Sequence, residues 1–560
     1  MKQRDYSEVG LMSAAFLAAL VIGAGPVKAD FTFGKPVNLG AIVNSPSSDY
    51  GACLSVDGLE MYFASERPGG FGAADVWVST RRSTNDPWGQ PANLGAPVNS
   101  PYSESYPSLS SDGLALYFSD AYSGTPRSGG LGDGDIWMTT RPSRDASWGP
   151  PVNVEAPINS SDLDMSPTIS GDGLTLAFTS RNRSGGRGSW DLWMSTRASV
   201  HDPWGPPVNF GASGNSGDWE GECGLSWDGR AVFFGSGRTG IVGAVDIWMS
   251  TRKTRANSWT VAVNLGPVLN SSSNDGTARV SPDMRTLYFC SDRPGGFGSY
   301  DLLDVPIIPL VDFNGDGKVG IEDLVRLIES WRMDDPSVDI GPGPWGDGTV
   351  DAVDLEVLMS YWGQAIDDPT LIAHWALDEA EGAVAHDSAG VNDAIVVGGP
   401  AWQPAGGKVG GALTFDGVDD SVSAACVLDP GGGPFSIFAW VKGGAPGQVI
   451  VSQEDGVNWL RADPAQGCLM TELCASGRSA GPLQSGTLIT DGAWHHIGFA
   501  WDGARRALYV DDILVAEGTQ EGLNNSVGGL YIGRGNNPPA GTFWSGLIDD
   551  VRIYNRAVSP

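Results

Sequence analysis

The sequence predicts a mainly β protein: a five-bladed β-propeller and a sandwich-type β domain, joined by a small α-helical module. Three observations predict it. Between residues 31 and 306 a set of short motifs recurs with a period of roughly 55 residues, in the range where self-similarity signals propellers or solenoids. Around residue 312, oxygen-bearing side chains precede apolar residues at helical spacing. From Leu371 onward, alternating strand patterns return.

The chain has 560 residues, enough for three or four domains at roughly 100–200 residues each. Glycine (79), proline (37) and tryptophan (21) are abundant, a composition of short strands and many turns. Asp and Glu outnumber Lys and Arg by 66 to 34, a formal charge of −32. That excess repels phosphate backbones and anionic lipid, and so excludes nucleic-acid binding as a function class. With 41% hydrophobic residues, wholesale disorder is excluded too.

Residues 1–29 have the layout of a secretory signal. Lys2 and Arg4 precede an apolar run from Leu11 to Gly23, and Val27-Lys28-Ala29 offers a small-residue cleavage site. No later stretch reaches the ~20 apolar residues of a membrane span. The mature chain is therefore expected to be secreted, periplasmic or on the cell surface, without a span. Export permits disulfides, and six cysteines are present. Cys468 and Cys474 read as sharing one strand, roughly 20 Å apart at ~3.3 Å per residue, too far to pair. Buried free thiols are the expected state for most of the six.

Within residues 31–306, an S-x-D-G turn recurs at Ser55, Ser110, Ser170 and Ser226, with a degraded copy at Ser281-Pro282-Asp283-Met284. An Asp-aliphatic-Trp segment follows each, at Asp75, Asp135, Asp191 and Asp246, and as Asp301-Leu302-Leu303 in the fifth unit. A third element begins at Trp88, Trp148, Trp204 and Trp259. Each unit reads as four short strands, which tandem repetition makes into propeller blades. The fifth unit lacks its last strand, but an orphan copy, Phe33-Gly34-Lys35-Pro36-Val37-Asn38-Leu39-Gly40, sits at the N-terminus. Pairing it with the fifth unit closes the ring and removes two open sheet edges. These repeats resemble the WD40-like (PD40) propellers of TolB-type periplasmic proteins, a resemblance that speaks to fold and not to ligand.

Six residues before each turn serine stands an acid: Asp49, Glu104, Asp164, Glu220 and Asp275. First strands line a propeller's channel, so the five could ring one channel mouth and hold a cation or a partner's basic side chain. The other reading is that each acid hydrogen-bonds backbone amides of its own loop.

Residues 310–366 form the helical module. In Asp312-Phe313-Asn314-Gly315-Asp316-Gly317-Lys318-Val319-Gly320-Ile321-Glu322-Asp323, oxygen ligands fall at loop positions 1, 3, 5 and 12, with Gly at 6 for the sharp turn. That pattern suits calcium, with Lys318 giving its backbone carbonyl. Leu324, Leu327, Ile328 and Trp331 continue at helical spacing. A second copy keeps Asp347, Asp351 and Asp354, followed by Leu355, Leu358 and Trp362. Counting back, its positions 1 and 3 fall on Gly343 and Trp345, which cannot ligate by side chain; Asp339 is the substitute across the Gly341-Pro342-Gly343-Pro344 insertion. Paired loops ending in Asp resemble a type I dockerin, an EF-hand module. That resemblance implies calcium-dependent attachment to a cohesin-like or cell-surface scaffold protein. The other reading is a calcium-stapled linker.

Residues 370–560 carry strands such as Phe435-Ser436-Ile437-Phe438-Ala439-Trp440-Val441. Phe415-Asp416-Gly417-Val418-Asp419-Asp420 and Ile548-Asp549-Asp550-Val551-Arg552-Ile553-Tyr554 closely resemble signatures of LamG-like, concanavalin A-like jelly-roll domains. The resemblance implies a two-sheet sandwich, carbohydrate or protein recognition, and in several members a calcium held by acids near both ends of the fold; Asp387, the Asn392 region and Asp549 are the candidates here. His495 and His496 point to opposite faces of a strand and are read as structural, and core packing is the expected role of Trp459 and Trp544.

The string Gly477-Arg478-Ser479-Ala480-Gly481 is followed by Pro482 and lacks the strand–turn–helix context of a nucleophile elbow. The enzymatic alternative is a glycoside hydrolase with catalysis in the propeller, which needs two carboxylates in unlike environments. Only the fourth blade adds acids for it, Asp218 and Glu222 beside Glu220. The expected function is thus non-catalytic binding of extracellular polysaccharide or protein in polysaccharide breakdown, with calcium as cofactor.

Overall fold

A computed structural model of the protein describes residues 31–558 apart from 121–125, 239–242, 267, 314–317, 336–337, 365–367, 369, 455, 475–480, 521 and 537–540. The signal-like residues 1–29 lie outside the described residues, as do Asn314 and Asp316.

Each repeat folds as the motifs predict. In the first blade, Asp49–Leu54, Glu60–Ser65, Asp75–Thr80 and Ala92–Asn93 form an antiparallel meander. The Ser-x-Asp-Gly turn is locked from within: Ser55 Oγ donates to Asp57 (2.6 Å), and Glu60 N donates back to Ser55 Oγ (2.9 Å). Gly58 has φ +67°, a left-handed conformation that favours glycine. The next three blades repeat this order.

Closure is by the N-terminus. Val37 and Asn38 pair with Asp304 and Leu303 of the fifth blade, as the orphan copy requires. The fifth blade's third strand, Asp301–Pro309, runs on through two prolines, and its end pairs with Phe31–Phe33. Pro309 ends the strand, and Pro306 stands opposite Thr286 at the end of that ladder, where a missing N–H costs little.

The helical module packs Ile321–Glu329 and Ala352–Ser360 around Val311, Val319, Leu327, Ile340, Val350 and Leu358. Two positions of the expected apolar face fall elsewhere. Ile328 is 56% exposed, and Trp362 lies beyond the second helix, 40% exposed.

The C-terminal domain is a sandwich of two eight-stranded antiparallel sheets. Trp375, Trp459 and Trp544 are fully buried in its core, so the latter two pack as expected. His495 bridges Asp491 and Asp511, and His496 stacks on Trp440 at 4.8 Å. The strand of Cys468 ends at Thr471, so Cys474 does not share it. All six cysteines are free: Cys223, Cys290 and Cys468 are buried, Cys53 and Cys474 half-buried, and Cys426 exposed.

Candidate functional site

The five repeat acids meet arginines rather than one another. Each is fully buried. Asp49 accepts from the amide and hydroxyl of Ser45 (2.6 and 2.8 Å) and pairs with Arg67 at 2.6 Å. Glu104 pairs with Arg127 (2.6 Å), Asp164 with Arg183 (3.5 Å), Glu220 with Arg238 (3.2 Å) and Asp275 with Arg293 (2.6 Å). Each guanidinium lies over the phenylalanine of its blade, and in the first four blades also over the tryptophan. The expectation of an axial cation or basic partner at this ring is corrected accordingly. The guanidinium is already the counter-charge, and the backbone amide and hydroxyl of the loop serine (Ser45, Ser100, Ser160, Ser216 or Ser271) donate to each acid.

What faces the axis lies two residues further along. Every first strand carries a bulge, with a left-handed residue at Gly51, Tyr106, Ser166, Glu222 or Thr277. The bulge swings that position out of the ladder. Glu222 Oε1 accepts from Tyr106 of the second blade (3.3 Å), and Oε2 accepts from Thr277 N of the fifth (3.0 Å). Burial raises the Glu222 pKa despite these donors and the nearby Arg279. One half-buried carboxyl thus ties three blades together. Tyr106 and Arg279 have no shared motif in the repeats, so only Glu222 was legible as a candidate.

In the helical module the two terminal aspartates do the same job. Asp323 accepts from Phe313 N and Gly320 N, both at 2.7 Å. Asp354 accepts from Ile340 N (2.7 Å), Gly341 N (2.8 Å) and Asp351 N (2.6 Å). Ile340 therefore corresponds to Phe313, and the second loop's first position is Asp339, not Gly343. The Asp339 carboxylate accepts from Asp347 N (2.9 Å) and Gly348 N, folding the loop back on itself. Burial pushes Asp354 up to about 6 and raises Asp339. Asp339, Asp347, Asp351 and Asp354 are the carboxylates of this loop, oxygen donors of the hard kind that calcium takes; among the described residues, the group that brings three carboxylates within 4.8 Å of one another is instead Asp416, Asp419 and Asp420.

The extra residues of that loop seat on the propeller. Trp345, 8% exposed, packs edge-on to Phe31 and Phe233 and donates from Nε1 to Asp228 (2.9 Å). Arg230 donates to the carbonyls of Pro342 (2.9 Å) and Gly346. Trp345→Ala is expected to release this contact and to raise limited proteolysis of the module by about tenfold, leaving the propeller's circular dichroism unchanged; an unaltered cleavage rate would mean the contact is dispensable.

In the sandwich, Asp387 is saturated. It accepts from His374 N, Ala389 N, and both nitrogens of Asn392, at 2.8–3.0 Å. Against the upward pull of burial, those donors hold its carboxyl below the usual range. Asp549 is the opposite case. It is fully buried; Oδ2 accepts from Lys408 N (2.6 Å) and Val409 N (2.9 Å), while Oδ1 has no partner among the described residues. Burial, reinforced by Asp550 and Asp378, pushes it up to about 7. Asp378, which accepts from Gly411 N, is one of the charges that act on Asp549, whereas the oxygens of Asp387 are filled by their donors. Asp378 follows the strand Leu371–Trp375, and the sequence offered no spacing that singled it out.

A five-bladed propeller joined to a concanavalin A-like β-sandwich is the architecture these domains define. Residues 416–560 match the laminin G type family described as the concanavalin A-like lectin/glucanases superfamily. No curated protein matches the chain. Among solved structures, the sialidase of Trypanosoma rangeli in complex with the inhibitor DANA is 13% identical, with 93% of this chain and 96% of that chain covered at a TM-score of 0.42. Domain 4 of AbnA, a GH43 extracellular arabinanase from Geobacillus stearothermophilus in complex with arabinotriose, is 20% identical, with 34% of this chain and 95% of that chain covered at a TM-score of 0.25. Among the described residues, no helix is long and apolar enough to cross a membrane.

Proposed function

We propose that the chain is an exported, multimodular, non-catalytic binding protein of polysaccharide binding or breakdown. The sandwich recognises extracellular polysaccharide, and the calcium-loaded, dockerin-like module attaches the chain to a cohesin-like or cell-surface scaffold. The observation that carries the reading is the lectin-type family match over residues 416–560. Attachment is supported by the first helix, whose Ile321, Val325 and Ile328 form an apolar stripe 48–57% exposed. The second loop is committed to the propeller through Trp345, which favours docking by one face of the module rather than by either of two. In the first loop, Asp312, Asn314, Asp316, the Lys318 carbonyl and Asp323 would hold the ion.

A second reading, a glycoside hydrolase acting in the propeller, is favoured by one observation: Glu222, an acid with raised pKa hydrogen-bonded to Tyr106. Its chemistry would be proton donation to a leaving oxygen. Glycan arrays probed with the full chain, with and without chelator, together with product analysis on the retained glycans, separate the two. Retention without cleavage is the expected result; cleavage that Glu222→Gln abolishes would replace the binding reading with the second.

A further inference from the structure

The sandwich contains a cleft of about 420 Å³, within the range of small-molecule sites, roughly 300–1,000 Å³. It opens at one end of the sheet holding Val449–Gln453 and Asn458–Ala462. Two of its lining residues bring unpaired polar atoms. Gln453 is 1% exposed, and its amide nitrogen faces the carbonyls of Leu428, Ser526 and Gly528 at 3.0–3.1 Å. Three acceptors around that nitrogen fix the orientation of the amide, so the oxygen cannot swap into their place. Gln453 Oε1 has no hydrogen-bond partner among the described residues, and neither has Nε1 of the fully buried Trp459. A buried orphan acceptor and a buried orphan donor each cost about 1–3 kcal/mol unless something completes them.

We infer that this cleft is a binding site for a neutral, hydroxyl-rich glycan. This rests on the reading that the sandwich recognises polysaccharide, and gives that recognition a place and a chemistry. A sugar hydroxyl both donates and accepts, so one ring can donate to Gln453 Oε1 and accept from Trp459 Nε1. A carboxylate, sulfate or phosphate only accepts and leaves Gln453 unpaired; an ammonium only donates and leaves Trp459 unpaired. None of the described lining residues carries a formal charge, and the chain's charge of −32 disfavours an acidic polymer. Pro430, Val457 and Leu473 supply apolar wall for the C–H face of a ring, and exposed Asn525 stands at the rim. The rim is tightly built: a Cβ on Gly431 would come within 2.0 Å of Asn525 Oδ1.

The test uses the full chain in affinity electrophoresis and calorimetry against neutral polysaccharides (arabinan, galactan, laminarin) and acidic ones (polygalacturonate, alginate). Asn525→Ala changes an exposed side chain; Trp459→Phe removes the indole N–H together with its five-membered ring, so near-ultraviolet circular dichroism checks the fold of both variants before binding is read. The expected result is retention by a neutral glycan, weakened about 3- to 10-fold in either variant. Equal binding by the wild type and both variants would place recognition elsewhere, overturning the site while the polysaccharide reading stands. Retention by acidic polymers alone would do the same. No retention by any glycan would overturn both. If Trp459→Phe fails to fold, Asn525→Ala decides alone.

Discussion

Arg127→Ala is expected to destabilise the propeller by about 3–5 kcal/mol, the cost of leaving a buried charge without its partner. The pair is 2.6 Å long, with the Glu104 side chain fully buried and that of Arg127 12% exposed. Truncation strands the carboxylate and removes the guanidinium from over Phe118 and Trp137, 5.5 and 5.4 Å away. Burial already raises the Glu104 pKa with the arginine present, so without it the acid takes up a proton more readily. The sign follows: a carboxyl whose folded pKa lies above its unfolded value binds more protons when folded, and stability falls as pH rises. The variant's deficit should therefore be larger at pH 7 than at pH 5. Glu104→Gln added to Arg127→Ala should recover part of it. Arg144→Ala is the control, since the Arg144–Asp57 pair is 40% and 42% exposed and worth about 0–1 kcal/mol. Urea unfolding followed by tryptophan fluorescence at both pH values measures all four proteins. Equal, small losses for Arg127→Ala and Arg144→Ala would show that the buried pairs do not hold the blades.

The blades were legible because their devices are local. A Ser-x-Asp-Gly turn closes over five residues, and alternation needs only a few more. The arginine partners were legible in principle: Arg67 follows Asp49, and Arg293 follows Asp275, by 18 residues. The second and third blades broke that count, placing Arg127 23 residues after Glu104 and Arg183 19 after Asp164, and an unpaired acid periodicity reads as a ring. The second calcium-type loop failed for a related reason. Phe313 lies ten residues before Asp323, whereas Ile340 lies fourteen before Asp354. An inserted stretch shifts any fixed count and puts Gly343 where Asp339 acts. What the insertion does, bringing Trp345 to Phe233, spans over a hundred residues and has no local signature. Asp549 and Asp387 looked alike as acids of one resemblance. Only their surroundings, four donors around one and an orphan oxygen on the other, tell them apart.

In chelator, the sandwich is expected to lose stability as pH rises from about 4 to above 7, and calcium is expected to restore it at pH 7.5. Asp549 carries the effect. Its folded pKa of about 7 stands above the unfolded aspartate value of about 3.9. The folded state therefore holds a proton that the unfolded state has released; stability is fully present below the unfolded pKa and lost as pH climbs through the folded one. The loss is on the order of 4 kcal/mol for one group shifted this far. A divalent ion bound by Asp549 and Asp378 would take the proton's place, and its binding free energy then adds to stability by mass action. Asp549→Asn keeps an oxygen for Lys408 N and Val409 N and removes the charge. The variant should show a flatter pH profile and little gain from calcium. Near-ultraviolet circular dichroism of the full chain, melted from pH 4 to 8 with and without the ion, reads both. The decisive quantity is the difference between wild type and variant, because any calcium response of the helical module is common to both. A wild type that gains stability relative to the variant between pH 4 and 7 in chelator, or a variant gaining as much from calcium as the wild type, would take Asp549 out of any metal site.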